Sequence, residues 1–256
     1  MRRRLVAGNW KMHGDAASTT ALLRELRSGL DVGGAVDVAV FPPFVYLPLV
    51  RQLLEESGDG ALAMGAQNLS AFECGAYTGE VAAEMLADCG CRYVLVGHSE
   101  RRALFAETDA RVAAKFQRAQ SAGLIPVLCI GEDLAQREAD ITLDVVRRQL
   151  QAVIDAAGVQ ALERAVLAYE HVWAIGTGHT ASPGQAQEVH EALRATVARQ
   201  APEVAQGLRI LYGGSVNAGN AEQLFAQKDI DGGLVGGASL QAQEFIDIVR
   251  AANAGV

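Results

Sequence analysis

The sequence is poor in cysteine and holds no obvious metal motif. Four cysteines occur among 256 residues, at positions 74, 89, 91 and 129. Cys89 and Cys91 stand one residue apart, and no second Cys or His pair follows at the spacing that zinc requires. We therefore expect no metal site and four reduced thiols, as in a cytosolic protein.

Long apolar runs are also missing. No stretch approaches the ~18 apolar residues that a membrane-spanning helix needs. The start MRRRL resembles the charged start of a signal peptide, but only LVAG follows before Asn9, Trp10 and Lys11. A signal peptide needs an apolar core of ~7–15 residues. We expect a soluble, cytoplasmic protein that does not bind a membrane.

Positive charge is in deficit. The formal net charge is −8, and only three lysines occur, Lys11, Lys115 and Lys228. This balance argues against nucleic acid or an anionic membrane as a partner. A small anionic substrate is still compatible with it, because backbone N–H groups and one lysine can outweigh the mean charge locally. We expect Lys115 and Lys228 to be solvated charges and Lys11, which follows an apolar strand, to be functional.

The sequence is rich in short apolar runs that alternate with helical stretches. Half of its residues are hydrophobic, which is ample for a sizeable core. Most runs are continuously apolar, which indicates parallel strands buried on both faces. The eight runs are LVAGN (from Leu5), VDVAVF (from Val36), ALAMGAQN (from Ala61), RYVLVG (from Arg92), LIPVLCIG (from Leu124), AVLAYE (from Ala165), RILYGG (from Arg209) and GGLVGG (from Gly232).

Amphipathic stretches lie between the runs, with predicted helices at 19–30, 141–158 and 182–200. The first has a leucine stripe followed by Gly33 and Gly34, and the last begins with Ser182 as N-cap and Pro183 at the first helical position. Eight strand–helix units in ~250 residues are typical of a (β/α)8 barrel. We predict one α/β domain over residues 1–256. An open doubly wound sheet is the alternative, because periodicity alone does not exclude it.

The ends of the runs hold the candidate chemistry. In such barrels functional residues lie at the carboxyl ends of the strands. The first run ends at Asn9 with Lys11 close behind, the fourth is followed by His98, and the sixth ends at Glu170. We expect Ser99 to begin a helix, so the positive helix end would keep His98 neutral.

Glycine pairs end the seventh and eighth runs, at 213–214 and 236–237. They fit phosphate capture, since glycine lets the backbone approach an anion and N–H groups at a helix start bind it. The alternative is that these glycines are present only because the chain makes tight turns there. We expect no function for His13 or His190.

The stretch GTGHTA at 176–181 matches the dinucleotide fingerprint G-x-G-x-x-G/A. That fingerprint places its first glycine in the turn directly after a strand, whereas Gly176 comes six residues after Glu170. A long glycine-containing connection at a barrel mouth fits a lid better. We therefore predict a lid at 171–181 and no nucleotide site.

Seven stretches now point to one family. AGNWK, GAYTGE, VLVGHSERR, CIGE, AYEHVWAIGTG, YGGSV and VGGASL occur in this order between Leu5 and Leu240. Together they resemble the triosephosphate isomerase family. The resemblance implies a TIM barrel and an isomerase of glycolysis and gluconeogenesis. It would interconvert dihydroxyacetone phosphate and D-glyceraldehyde 3-phosphate through an enediolate, without metal or organic cofactor.

The resemblance also implies residue roles. Glu170 would be the base, neutral His98 the acid toward the substrate oxygens, and Lys11 the electrostatic stabiliser. The implied substrate-binding set is Asn9, Lys11, Gly176, Ser215, Gly236 and Gly237, and the implied supporting set is Glu100, Tyr212, Ile175 and Thr78. Thr78 lies in a loop at 68–80 that would insert into a partner subunit, which implies a homodimer.

Two positions depart from the family pattern. His171 stands where a proline is usual, and His179 where a lysine is usual. Our hypothesis is that a protonated His171 lowers the proton affinity of Glu170. Two other functions stay open at this point: another phosphate-binding barrel enzyme, such as an aldolase or a phosphoribosyl isomerase, and a catalytically silent barrel scaffold.

Overall fold

The eight apolar runs form eight parallel strands that close into a barrel. A computed structural model of the chain describes residues 2–30, 35–56, 60, 62–171 and 182–254. The strands pair in chain order, and β8 pairs with β1. They are β1 Leu5–Asn9, β2 Asp37–Phe41, β3 Ala63–Ala66, β4 Tyr93–Val96, β5 Ile125–Ile130, β6 Val166–Tyr169, β7 Arg209–Tyr212 and β8 Gly232–Val235. The predicted (β/α)8 barrel is confirmed, and the open-sheet alternative is wrong.

Strand β1 joins the two ends of the sheet. Leu5 lies opposite Asp37 of β2 on one side and opposite Gly232 of β8 on the other. A side chain on Gly232 would meet the Leu5 carbonyl at 1.9 Å, so the close approach of these two strands requires glycine. Closure at β1 places the carboxyl ends of all eight strands at one rim.

Helices surround the barrel. They are α1 Ala16–Gly29, α2 Leu47–Glu55, α3 Ala83–Asp88, α4 Ser99–Leu104, α5 Asp109–Ser121, α6 Leu134–Glu138, α7 Thr142–Ala157, α8 Pro183–Ala198, α9 Pro202–Gly207, α10 Ala221–Phe225 and α11 Ala242–Asn253. Short 3-10 segments occur at Phe44–Tyr46, Val159–Arg164 and Gly237–Leu240. Within the described ranges, none of the helices combines the length and the apolar character that crossing a membrane requires.

Local capping sets where the predicted helices begin. The Ser182 side chain accepts from the N–H of Gln185, and α8 begins at Pro183 as predicted. Helix α1 begins at Ala16, three residues before the predicted start, because Asp15 and Ser18 form a capping box. It ends at Gly29, and the glycine pair at 33–34 lies outside the described residues.

Two apolar layers explain the continuous apolar runs. Alternate strand residues such as Leu5, Ala7 and Phe41 fill the barrel interior. Their neighbours, such as Val6 and Val40, pack in the layer between strands and helices. Both faces of each strand are therefore buried, as a parallel sheet covered by helices requires.

Candidate active site

A cleft of about 460 Å³ opens at the carboxyl ends of the strands. Its walls come from the ends of β1, β4, β6, β7 and β8. The predicted site residues that line it are Asn9, Lys11, His98, Glu170, Ser215, Gly236 and Gly237. The structure thus brings these seven residues together at one face of the barrel.

The peptide unit that joins Tyr169 to Glu170 is held from both neighbouring strands. Its N–H donates to the Ile130 carbonyl at 2.8 Å, and the Gly213 N–H donates to the Tyr169 carbonyl at 2.7 Å. A side chain on Gly213 would lie 3.0 Å from Cγ of Glu170, so glycine allows this close approach. The carboxylate is thereby anchored at the floor of the cleft, where Glu170 is 1% exposed.

Two donors face the Glu170 carboxylate. The Ser99 N–H, in the first turn of α4, donates to Oε2 at 2.9 Å, and His98 Nε2 lies 3.0 Å from Oε1. Burial raises the pKa of Glu170, but its attraction to His98 and these hydrogen bonds outweigh burial, so the pKa lies below its usual range. The carboxylate is therefore ionised at neutral pH, as a general base requires.

His98 caps α4, and its ring is oriented by that helix. Its Nδ1 accepts from the Glu100 N–H at 3.3 Å. Burial lowers the pKa of His98, and the ionised Glu170 raises it by more. The Glu100 N–H favours the neutral ring, however, because an Nδ1 that accepts cannot hold a proton. With Nδ1 as acceptor, a neutral ring carries its proton on Nε2, toward Glu170. The neutral histidine expected from the sequence stays a prediction, because the net shift of the His98 pKa is upward.

Lys11 adopts a left-handed backbone conformation, with φ of 51°. Such a conformation is uncommon outside glycine and persists where neighbours hold it. The Lys11 N–H donates to Asn9 Oδ1 at 3.0 Å, and Gln67 Nε2 donates to the Lys11 carbonyl at 2.8 Å. Its ammonium lies 2.5 Å from Glu100 Oε1. Sequence reasoning missed Gln67, although it directly follows β3 at the same rim.

Lys11 also extends toward the glycine pair after β8. A Cβ built on Gly236 would stand 3.5 Å from Cε of Lys11. The Gly236 carbonyl accepts from the Ser239 hydroxyl at 2.6 Å, which fixes the turn before the 3-10 segment. The ammonium of Lys11 thus lies beside this turn and next to the Glu100 carboxylate. Ser215 lines the same cleft from the turn after β7.

Several expectations lie outside the described residues. These are Ile175, Gly176, His179, the GTGHTA motif and all of the predicted lid except His171. Tyr212, the expected partner of that lid, is fully buried.

The hypothesis of a protonated His171 is contradicted by its surroundings. The ring is fully buried, edge-on to Tyr169 at 4.5 Å between centroids and 5.5 Å from Tyr212. Burial, followed by the charges of His190 and Arg137, lowers the pKa of His171 to about 3. The imidazole is therefore neutral near pH 7 and adds no positive charge beside Glu170.

One other assignment made from the sequence needs correction. Lys115, expected to be a solvated charge, is buried in α5, where its ammonium pairs with Glu107 and donates to Asn68 at 2.7 Å. His13, for which we expect no function, is exposed and lines the cleft. Lys228 is exposed as predicted. Periodicity gave no warning about Lys115, because its partners lie on other elements.

A closed parallel barrel with a carboxylate, an imidazole and an ammonium around one cleft defines an acid–base enzyme of the (β/α)8 class. A family model described as triosephosphate isomerase matches residues 4–252. The chain belongs to the triosephosphate isomerase family.

Individual relatives agree with the family match along nearly the whole chain. A triosephosphate isomerase of Dechloromonas aromatica is 60% identical over 253 residues, which cover 99% of this chain and 100% of the relative. One of Nitrosococcus oceani is 57% identical, with 98% and 100% covered. One of Pseudomonas aeruginosa is 58% identical, with 98% and 99% covered.

Proposed function

We propose that the chain interconverts dihydroxyacetone phosphate and D-glyceraldehyde 3-phosphate. The observation on which the proposal rests is that Glu170, His98 and Lys11 line one cleft of a triosephosphate isomerase family member. Glu170 is the base, the Nε2–H of His98 is the donor to the substrate oxygens, and Lys11 offsets negative charge. Glu170 thus acts on the carbon-bound proton next to the carbonyl, while His98 and Lys11 act on the oxygens and their charge.

The proton steps balance without an external reagent. Glu170 removes a proton from C1 of dihydroxyacetone phosphate, and the C–H electron pair forms the C1–C2 double bond while the carbonyl oxygen becomes an enediolate oxygen. His98 gives its Nε2 proton to that oxygen and recovers one from the neighbouring hydroxyl. Glu170 then returns its proton to C2, which yields the aldehyde. Lys11 stabilises the enediolate by charge.

The magnitudes require all three residues. A positioned base contributes ~10²–10⁴-fold, whereas enzymes commonly accelerate reactions by at least ~10⁶-fold. One electrostatic donor in a dry site adds ~10²–10³-fold. A base, a donor and a fixed ammonium acting together therefore reach the required range, and none of them does so alone.

The phosphate is bound by backbone N–H groups in this proposal. Gly236, Gly237 and Ser215 line the cleft beside the Lys11 side chain. Glycines leave these N–H groups accessible to an anion. Gly176 would add a further N–H, and Asn9 holds the Lys11 turn. The lysine thus serves both the phosphate and the reacting carbons.

An assay with glyceraldehyde 3-phosphate coupled to reduction of the product tests the reaction. We expect the wild type to turn over and Glu170→Gln to lose at least ~10³-fold in kcat/KM, because the base is removed while the volume is kept. Glu222→Gln on the exposed face of α10 is the matched control and should behave as wild type. A wild type without turnover, or a fully active Glu170→Gln, would refute the proposal.

We also infer a homodimer. A groove of about 370 Å³ adjoins the active site and is lined by Lys11 and Glu100 together with apolar side chains. Among those apolar side chains Met12 is 93% exposed, Leu104 73% and Phe105 63%. Contiguous exposed apolar surface of this kind is typical of an interface. A second copy that fills the groove would touch the active-site rim.

The loop at 68–80 is the element we expect to fill the partner's groove. Thr78 is exposed on it, and Phe72 and Tyr77 stack at 4.3 Å between centroids, both more than 40% exposed. Sedimentation equilibrium tests this: Thr78→Arg should weaken association at least tenfold, whereas Gln223→Arg on α10 should leave it unchanged. A wild type that sediments as a monomer at micromolar concentration would refute the dimer.

Two further proposals concern the domain organisation and the location of the protein in the cell. We infer that residues 1–256 form one domain, because β1 pairs with β8 and Arg4 donates to the Ala252 carbonyl at 2.6 Å. A single unfolding transition by two spectroscopic probes is expected. We place the protein in the cytoplasm, since all four cysteines are free thiols, and cell fractionation tests this.

A further inference from the structure

Gln149 of α7 makes an unusual pair of hydrogen bonds below the active site. Its side-chain Oε1 accepts from the Gly131 N–H at 2.9 Å, and its Nε2 donates to the Gly131 carbonyl at 3.0 Å. Gln149 is only 6% exposed. One buried amide therefore binds both polar groups of a single residue just beyond the end of β5, where the strand ladder stops.

Gly131 in turn packs directly against the backbone of Glu170. A Cβ on Gly131 would lie 2.0 Å from the Glu170 carbonyl oxygen and 3.2 Å from Cβ of Glu170. The preceding residue, Ile130, accepts the Glu170 N–H at 2.8 Å. A movement of Gly131 would therefore also move the backbone of Glu170, whose side chain is the catalytic carboxylate.

We propose that Gln149 is a positioning residue for Glu170. It holds Gly131 in place, and Gly131 holds the Glu170 backbone at the height where the carboxylate meets the substrate. Gln149 does not line the substrate cleft and touches no reacting atom. The inference rests on the proposed isomerase function for its kinetic consequence, but not for its structural one.

A second cavity shows why this support matters. A space of about 210 Å³ behind the carboxylate is lined by Gly131, Gln149, Ser99 and Glu170. Glu170 therefore borders this space as well as the substrate cleft. Without the two hydrogen bonds of Gln149, Gly131 loses its restraint from α7, and it and the Glu170 backbone packed against it can shift toward this space. A misplacement of about 1 Å costs up to ~10²-fold in rate.

Gln149→Met tests the inference because methionine keeps the length of glutamine and removes both hydrogen bonds. We expect kcat to fall about tenfold or more, while KM changes less than about threefold, since phosphate binding by the turns after β7 and β8 is untouched. The matched control is Gln120→Met in α5, whose amide donates to the Ala161 carbonyl at 2.7 Å far from the cleft. Its kcat should stay within twofold of wild type.

Gln149→Glu is the conservative variant. It keeps the acceptor for the Gly131 N–H and loses the donor to the Gly131 carbonyl, so we expect a smaller loss of kcat than in Gln149→Met. If Gln149→Met does not fold, Gln149→Glu decides alone. A kcat within twofold of wild type in Gln149→Met, or in Gln149→Glu where only that variant folds, would overturn the proposal.

A readout without substrate separates this inference from the proposed reaction. The ionised Glu170 raises the pKa of His98, so a displaced carboxylate should lower the midpoint of the His98 ring titration followed by NMR. We expect that shift in Gln149→Met and none in Gln120→Met. An inactive wild type would refute the proposed function, and the His98 titration would still test Gln149: an unchanged midpoint in Gln149→Met overturns the inference.

Discussion

The two ends of the barrel use charged residues in opposite ways. At the amino end, Arg194 of α8 makes five hydrogen bonds, to carboxylates of Asp229 and Asp231 and to the backbone carbonyls of Ala205, Leu208 and Asp229. These satisfy all five guanidinium donors. At the carboxyl end, Glu170, His98 and Lys11 surround an open cleft. At the amino end the donors of Arg194 are all used within the protein, whereas the residues at the carboxyl end keep hydrogen-bonding capacity for a ligand.

Further contacts complete the amino-end cluster. Arg2 lies 2.7 Å from the second oxygen of Asp231, and Gln187 donates to Asp229 at 2.7 Å. Burial raises the pKa of Asp229, but Gln187 and Arg194 lower it by more, so its pKa lies below the usual range. The buried charges at the amino end are fully hydrogen-bonded and stabilise the fold, whereas the residues of the cleft are arranged for a reaction. The same residue types thus serve stability at one end of the barrel and chemistry at the other.

Of the variants that test this contrast between the two ends of the barrel, Lys11→Met should show the largest effect. We expect kcat/KM to fall by at least ~10³-fold, because the ammonium beside Glu100 supplies fixed charge in the cleft. The free energy of unfolding should change by less than about 1 kcal/mol, since the side chain is partly exposed. Steady-state kinetics and urea unfolding measure the two quantities. Lys228→Met, at an exposed position, should change neither.

Arg194→Leu should show the reverse pattern. Its removal leaves Asp229 and Asp231 buried with fewer partners, and breaking a buried pair costs about 3–5 kcal/mol. We expect that loss in urea unfolding, with kcat per folded molecule unchanged. Arg250→Leu is the control, because the Arg250 side chain is 62% exposed and its pair with Asp247 is worth little. A large drop in kcat for Arg194→Leu would break the contrast between the two ends.

Acid should weaken the fold through two buried histidines. Burial lowers the pKa of His171 to about 3 and that of His190 to about 4. Both rings stay neutral in the folded protein while the unfolded chain takes up protons below about pH 6.5, so stability is complete above that pH and falls toward pH 4.

The loss should reach about 1–2 kcal/mol per residue between pH 7 and pH 5. Urea unfolding at each pH measures it, and His190→Phe should show a shallower pH dependence than wild type. His13→Asn, at an exposed position, is the control. An equal pH dependence in His190→Phe and wild type would contradict the linkage.

Much of the architecture was predictable because its causes are local. The apolar runs predicted each strand, although β3 covers only Ala63–Ala66 of the run from Ala61. Ser182 and Pro183 predicted the start of α8. Helix α1 began earlier than its leucine stripe because Asp15 caps it, which the stripe alone did not indicate. The number of units predicted the closed barrel, and closure brought the strand ends together.

The candidate site was predictable as a set of residues but not as a set of contacts. Glu170, His98 and Lys11 each follow a strand, so the barrel rule places them at one rim. Their partners come from elsewhere: the Ser99 N–H on Glu170 and Gln67 on the Lys11 carbonyl. No local pattern links residues so far apart in the chain.

By itself, the sequence determined the alternation of strands and helices and the residue types that stand after each strand, since burial periodicity, capping and turn chemistry act over a few residues. Only the tertiary structure decided that Lys115 is buried and paired, that His171 is neutral and that Gln149 supports Gly131. Burial and pKa depend on groups that barrel closure brings together from distant parts of the chain. The electrostatics of this site are therefore a property of the closed barrel.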